Sequence, residues 1–279
     1  MRLDASSPEA EPARRALEAI EREHASWGAR SLKHWALAIV LAVFFAGSWN
    51  LAQVDLERLF TGLPRLGQWL AMAWPPKLDE LPTFLLRMAE TVAMAAIGTA
   101  VAAVLAIPMA VLASRNITPF PRLYLPARWV LNGLRGIDSF VFALLFVAAV
   151  GLGPFAGVLG IALHTWGSAA KFMADYIENA NLGPMRAVET TGASRSVAVC
   201  YALVPDVLPA ALSTTLYLFE FNVRASTVLG VVGAGGIGQE LKNSMDLLDF
   251  GRLATIIIVI LIVVTLIDQL AAWLRRRLV

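Results

Sequence analysis

Almost everything that would let this chain act as an enzyme is missing from it. Cys200 is the only cysteine in 279 residues, which excludes an internal disulfide and leaves no cysteine-based metal cluster. No zinc-ligand spacing, nucleophile elbow or catalytic triad occurs along it. The phosphate loop Gly-x-x-x-x-Gly-Lys-[Ser/Thr] is lacking as well, so the chain is expected to hold no cofactor and to hydrolyse no ATP itself. Charged residues are scarce, at 16%, against roughly 25% in ordinary soluble domains. Nucleic acid is not an expected partner.

What is present is apolar. Hydrophobic residues make up 58% of the chain and mean hydropathy is +0.65. A bilayer needs about 20 consecutive apolar residues. Six such runs occur, at 34–53, 84–113, 129–150, 154–174, 208–230 and 253–274. The predicted fold is therefore all-α, a polytopic membrane helix bundle of six transmembrane helices. The second run exceeds a bilayer's need, so it should tilt, and Pro108 within it is a candidate kink.

Residues 1–33 are polar and charged, which argues against reading the first run as a cleavable signal peptide. Within them, 12–27 have the pattern of an exposed amphipathic helix. Residues 54–82 combine leucines and tryptophans in a way that predicts an interfacial helix on the outer surface. Three regions result: 1–33, then 34–83 with the first span, then a core over 84–279. With both termini inside, fifteen Lys and Arg fall in inner segments and five in outer ones. The positive-inside rule therefore places residues 181–209 in the cytoplasm.

That segment, NLGPMRAVETTGASRSVAVCYALVPDVLP, is far longer than reconnecting two helices requires. Its small residues suit a helix seated in a groove of a partner, and Gly192 suits a turn that only glycine enters freely. Arg186-Ala187-Val188, Gly192 and Ala202-Leu203-Val204-Pro205 have the spacing of Glu-Ala-Ala, three residues, Gly, nine residues, Ile-x-Leu-Pro. The segment thus resembles the coupling loop of ABC-importer permeases. Arg186 stands in the glutamate's place, and Glu189 offers an acidic group three residues on. The strings FVAAVGLGPFAGVL and VGAGGIG carry the resemblance further, to the phosphonate-transporter permeases, over roughly residues 84–275. In that family Arg-x-Ile-Pro-Glu opens the third span. Here Asp138 and Ser139 take the Pro-Glu places.

Ionisable groups at membrane depth cost at least about 2.5–3.5 kcal/mol each on insertion scales, so each needs a reason. They are Arg87, Glu90, Arg135, Asp138, Glu220, Arg224 and Asp268. Glu220 and Arg224 have the favoured order for a same-face pair four apart. Arg87 with Glu90, and Arg135 with Asp138, are candidate pairs three apart. Three bases against four acids leave no positive surplus, which speaks against a basic ring selecting anions. Glu90, Arg135, Asp138, His164, Glu220 and Arg224 are the candidate polar lining of a path. For His164, a hydrogen bond to a neighbouring helix is the plainer expectation.

Gly233, Gly235, Gly236 and Gly238 reproduce the Gly-x-Gly-x-x-Gly expression of dinucleotide sites. The fingerprint needs a preceding strand and a soluble βαβ unit, and this one follows a membrane span. Irregular backbone at the outer end of the fifth span, forming an outer gate, is the better reading.

The resemblance implies a type I, MetI-like permease in a bacterial inner membrane. It implies a second permease copy, two cytoplasmic ATPase subunits using ATP and Mg, and a soluble or lipid-anchored binding protein outside. Arg186, Ala187, Glu189, Gly192, Ala193, Ser194, Arg195 and Pro205 would form the coupling loop, with a helix over 186–195 and Pro205 as a stop before the fifth span. Phosphonate or a related phosphorus oxyanion (phosphite, hypophosphite, phosphate) would be the cargo. The alternative is an ion-coupled secondary transporter, which usually shows inverted repeats; no internal repeat is evident here.

Overall fold

The structure, a computed structural model, describes residues 34–278; the helix expected over 12–27 lies outside them. Every regular element among the described residues is helical, as lipid demands of a chain whose backbone groups must pair within the segment. The chain divides into two units, Met1–Leu66 and Gly67–Val279.

In the first unit, α1 (His34–Leu51) is apolar along its whole length. Trp35, Phe44, Phe45 and Trp49 all lie exposed on it, the surface of a helix whose solvent is hydrocarbon. α2 (Leu56–Met72) falls within the segment expected to be an interfacial helix and buries no residue. Asp55 starts it by accepting from the Arg58 amide at 3.0 Å. At its far end Trp69, already in the second unit, stacks on Phe250 with ring centroids 5.5 Å apart.

The second unit contains α3 (Leu81–Leu112), α4 (Tyr124–Gly136), α5 (Ser139–Val150), α6 (Pro154–Asn179), α7 (Gly183–Thr190), α8 (Arg195–Ala198), α9 (Val204–Leu229), α10 (Ile237–Asp246) and α11 (Phe250–Leu278). α6 is central and packs on α3, α4, α5 and α9. Its buried face is built from small residues, among them Gly157, Gly160, Gly167, Ala169, Ala170 and Ala174. Between membrane helices there is little hydrophobic drive, so close backbone approach supplies the attraction. At Gly160 an added methyl would lie only 2.8 Å from the Ala143 amide nitrogen of α5.

Three helices cross one another at a buried polar node. Asn222 of α9 donates from Nδ2 to Thr99 Oγ1 of α3 and to Thr165 Oγ1 of α6, at 2.8 and 2.9 Å. All three side chains are buried, and each polar group has a partner, as burial in a low dielectric requires.

Among the described residues, four helices are long and apolar enough to cross a membrane: α1, α3, the continuous helix Arg195–Val232, and α11. The span expected over 129–150 is instead two helices, α4 and α5, bent by 87°. Its polar break explains this. Asp138 caps α5 by accepting from the Phe140 amide at 2.8 Å, a role aspartate fills better than a helix interior position. α6 is long enough but too polar to meet the same criterion. Its polar groups serve other helices: Trp166 donates to the Leu105 carbonyl of α3 at 2.9 Å, and Tyr176 meets Thr214 of α9 at 2.7 Å.

The segment expected to form the coupling loop also differs from expectation. Its helix is α7, over 183–190 rather than 186–195, and the next helix already begins at Arg195. Pro205 therefore does not stop a helix. It stands in the first turn of α9, which a π turn at Val199–Leu203 joins to α8. Proline cannot donate to the preceding turn, and a locally widened helix accommodates that loss without ending.

Candidate translocation path and coupling surface

α7 hangs on the bundle by one side. Asn181 Oδ1 receives the Gly183 amide at 2.9 Å to turn the chain into the helix, and Met185 is its one buried residue. Arg186, Ala187 and Thr190 are exposed. Arg186 takes no ion-pair partner among the described residues. Glu189 is half-buried, and its carbonyl accepts from the Gly192 amide at 3.1 Å. Gly192 then turns the chain at φ 86°, a left-handed conformation that glycine enters without strain.

Ala193 and Ser194 follow Gly192, and Arg195 points back into its own chain. Its guanidinium donates to the Asn116 carbonyl at 2.5 Å. Asn116 in turn donates to the carbonyls of Ile177 and Glu178 at the end of α6. Arg128 clamps the same corner through Asp175 and Glu178, at 3.2 and 2.7 Å. Lys171 pairs with Asp175 at 2.8 Å; neither it, Arg128 nor the neutral Asn116 carries a sequence signal for this corner, whose members come from separate segments.

The continuous helix from Arg195 carries Glu220 and Arg224, two of the candidate path residues. A cavity of about 510 Å³ is lined by Asp138, Phe140, Tyr217, Phe221, Arg224 and Val228, among others. Nearer α8, a second cavity of about 380 Å³ is lined by Phe172, Tyr176, Ser213, Thr214, Tyr217 and Arg275. Tyr217 borders both. Glu220 pairs with Arg224 at 2.6 Å as its spacing predicts, and also with Arg275 of α11 at 3.1 Å. The second contact was invisible in sequence, because the two residues belong to different helices.

The expected pair of Arg135 and Asp138 is not formed. Asp138 is committed to the α5 cap, while the Arg135 guanidinium lies over the Phe172 ring at 5.6 Å. His164 meets the Ile137 carbonyl at 2.7 Å, so it ties α6 to the break between α4 and α5. On α11, one carboxylate oxygen of Asp268 is buried without a hydrogen-bond partner.

At the opposite end of α9 the glycine run turns back into protein. Gly233, Gly235 and Gly236 have φ of 91°, 76° and 70°. The Gly153 amide donates to the Gly233 carbonyl at 2.9 Å, and the Ile237 amide to Thr91 Oγ1 at 2.8 Å. A methyl at Gly238 would collide with the Thr227 carbonyl oxygen, so only glycine lets α10 lie this close to α9. Charges brace the same end. Arg87 pairs with Glu90 at 2.9 Å and approaches Glu240 at 3.7 Å, while Arg252 holds Glu240 at 2.7 Å and Glu80 at 2.8 Å. Outside the spans, Lys77 meets Asp249 at 2.7 Å. That hydrogen bond, helped by the Arg252 amide, holds the Asp249 carboxyl below the usual carboxylate range.

Residues 102–279 match the family described as "Binding-protein-dependent transport system inner membrane component". The chain belongs to this family. It is thus a multi-pass inner-membrane permease, a transporter component rather than an enzyme in its own right. This permease is 45% identical over 247 residues to the putative phosphite transport system permease protein HtxC of Stutzerimonas stutzeri, covering 88% of each chain. It is 37% identical to the phosphite transport system permease protein PtxC of the same organism, covering 94% of this chain and 96% of that one. With the phosphate-import permease protein PhnE of Mycolicibacterium smegmatis it shares 39% identity over 89% of its own length and 47% of the relative's. Its fold resembles an inward-facing chain of the MetNI methionine ABC transporter, with TM-score 0.64 and 21% identity, over 72% of this chain and 99% of that one.

Proposed function

We propose that this permease forms the translocation path of an ATP-driven importer of phosphorus oxyanions, phosphite or phosphonate foremost. Two relatives covering most of both chains bear phosphite in their names. The observation that carries the mechanism is the continuous helix Arg195–Val232. It starts directly after the exposed α7 and bears Glu220 and Arg224 beside the cavities. A push on α7 is therefore passed along one continuous helix toward the charged groups of the path, bending first at the π turn of Val199–Leu203.

In this reading α6 crosses the membrane as well, giving six crossings with α4 and α5 as one, and both termini lie in the cytoplasm. A second permease copy completes the path. Two cytoplasmic ATPase subunits receive α7 through Arg186, Ala187 and Glu189, and hydrolyse ATP with Mg as their cofactor. A binding protein docks outside, near the glycine turn of Gly233, Gly235, Gly236 and Gly238, which acts as the outer gate. ATP-driven closure of the ATPases moves α7 and opens the path toward the loaded binding protein.

The test is uptake of isotope-labelled phosphite by the reconstituted assembly. Uptake should require ATP and stop when the phosphate-loop lysine of the ATPase is replaced. Uptake that continues without ATP hydrolysis would sink this reading.

A further inference from the structure

Resting on that reading, we infer that Arg224 and Arg275 are two successive anion stations on the path, with Glu220 as their shared counter-ion. Sequence counting gave no positive surplus at membrane depth, because Arg275 belongs to the cluster that ends α11. The structure brings it onto Glu220, where two guanidinium groups meet one carboxylate.

The arrangement has a division of labour. Glu220 Oε1 accepts from Arg224 Nη2 at 2.6 Å. Its Oε2 accepts from both Nη1 and Nη2 of Arg275, each at 3.1 Å. The Glu220 side chain is only 11% exposed, whereas Arg224 is 49% and Arg275 27% exposed. Arg224, four residues away on the same helix, already balances the Glu220 charge, and Arg275 adds a link from α11 to α9. The second arginine leaves the cluster with a net positive charge, and each arginine lines a different cavity.

An oxyanion that draws Arg224 away from Glu220 leaves no orphaned carboxylate, since Arg275 still holds it; the converse applies at the second cavity. Stripping a buried carboxylate of its only partner would be costly. The shared arrangement removes that barrier at each step. A guanidinium offers five donors in a fork that suits tetrahedral oxyanions, so Arg224 keeps free N–H groups while one remains on Glu220.

The surrounding groups fit the same ligand. Tyr217 borders both cavities, and Ser213, Thr214 and Tyr176 add hydroxyls around the Arg275 station. Asp138 also lines the Arg224 cavity. Its carboxylate already accepts the Phe140 amide at the start of α5, where the helix end offsets its charge.

The experiment uses the whole assembly in vesicles, with saturating phosphite-loaded binding protein, measuring phosphite uptake and ATP hydrolysis together. Arg224→Gln and Arg275→Gln should each lower maximal uptake about tenfold and raise the ATP consumed per phosphite, while the ATPase still co-purifies. A merely structural loss would lower hydrolysis and uptake in step, and that result overturns the proposal. So does wild-type uptake by either Gln variant. Should a Gln variant fail to assemble, Arg224→Lys and Arg275→Lys decide. A lysine keeps the charge but not the fork, so maximal uptake must fall while assembly persists, and an unchanged rate overturns the stations. If the unmodified assembly shows no ATP-driven phosphite uptake, the transport reading fails instead, a result separate from any arginine effect.

Discussion

Asn222 Nδ2 lies 2.8 Å from Thr99 Oγ1, although 123 residues separate them in sequence. That bond and its counterpart to Thr165 pin α3, α6 and α9 at one buried point. Thr99 also donates to the Ala95 carbonyl at 2.6 Å, so loss of Asn222 would not strand it. Buried Thr165, by contrast, exchanges both its hydrogen bonds with Asn222, so Asn222→Ala should destabilise the permease by about 1–3 kcal/mol, the cost of a stranded buried polar group. Thermal unfolding in detergent measures it, and a loss well above that range would mean the node is structurally dominant.

Two glycine substitutions should have opposite signs. Gly238→Ala sets a methyl against the Thr227 carbonyl and should cost about 1–3 kcal/mol, the usual range for overpacking. Gly133 lies inside α4 with nothing within 4 Å of an added methyl. Gly133→Ala should stabilise by about 0.5–1 kcal/mol through helix propensity. Melting temperatures of the two variants, compared with uptake, decide the matter.

Asp249 gives a pH prediction. Its carboxyl pKa is lowered, first by the Lys77 hydrogen bond and then by the Arg252 amide. A depressed carboxyl contributes stability that is fully present above its unfolded pKa, about 3.9, and is lost as pH falls through the lower folded value. The start of α11 should thus stay protected at mildly acidic pH and open only in stronger acid. Hydrogen exchange at Arg252 and Leu253 reports this. Asp249→Asn retains a capping oxygen but lacks the titration, so its exchange profile should lose the acid step.

Within residues 181–209, Arg186 and Arg195 should behave differently although they lie only nine residues apart. Arg195 is spent on the Asn116 carbonyl. Arg195→Ala should raise hydrogen exchange around Asn116 and leave ATPase co-purification largely intact. Arg186 is exposed and unpaired among the described residues. Arg186→Glu should change co-purification of the ATPase at unchanged melting temperature, and no change would remove Arg186 from the coupling surface.

Much of this architecture was legible in the chain. Apolar runs fixed four of the crossings because lipid exposure demands continuous hydrophobicity, as α1, α3 and α11 display. The i, i+4 spacing of Glu220 and Arg224, and the i, i+3 spacing of Arg87 and Glu90, also translated directly into ion pairs, since both members share one helix face. The glycine turn was recognisable as irregular backbone, since the run follows a membrane span. The π turn around Val199–Leu203 was not, because nothing in residue type marks where a helix widens rather than ends.

The sequence by itself determined an all-helical membrane chain and its family, because those depend on local pattern and on the solvent each residue must face. Only the tertiary structure decided that α4 and α5 part at Asp138. It also placed Arg195 on its own chain, and it set Arg275 beside Glu220. The last two are choices between partners near in sequence and partners near in space. Those choices follow from how the helices pack on one another, a property of the bundle rather than of any one segment.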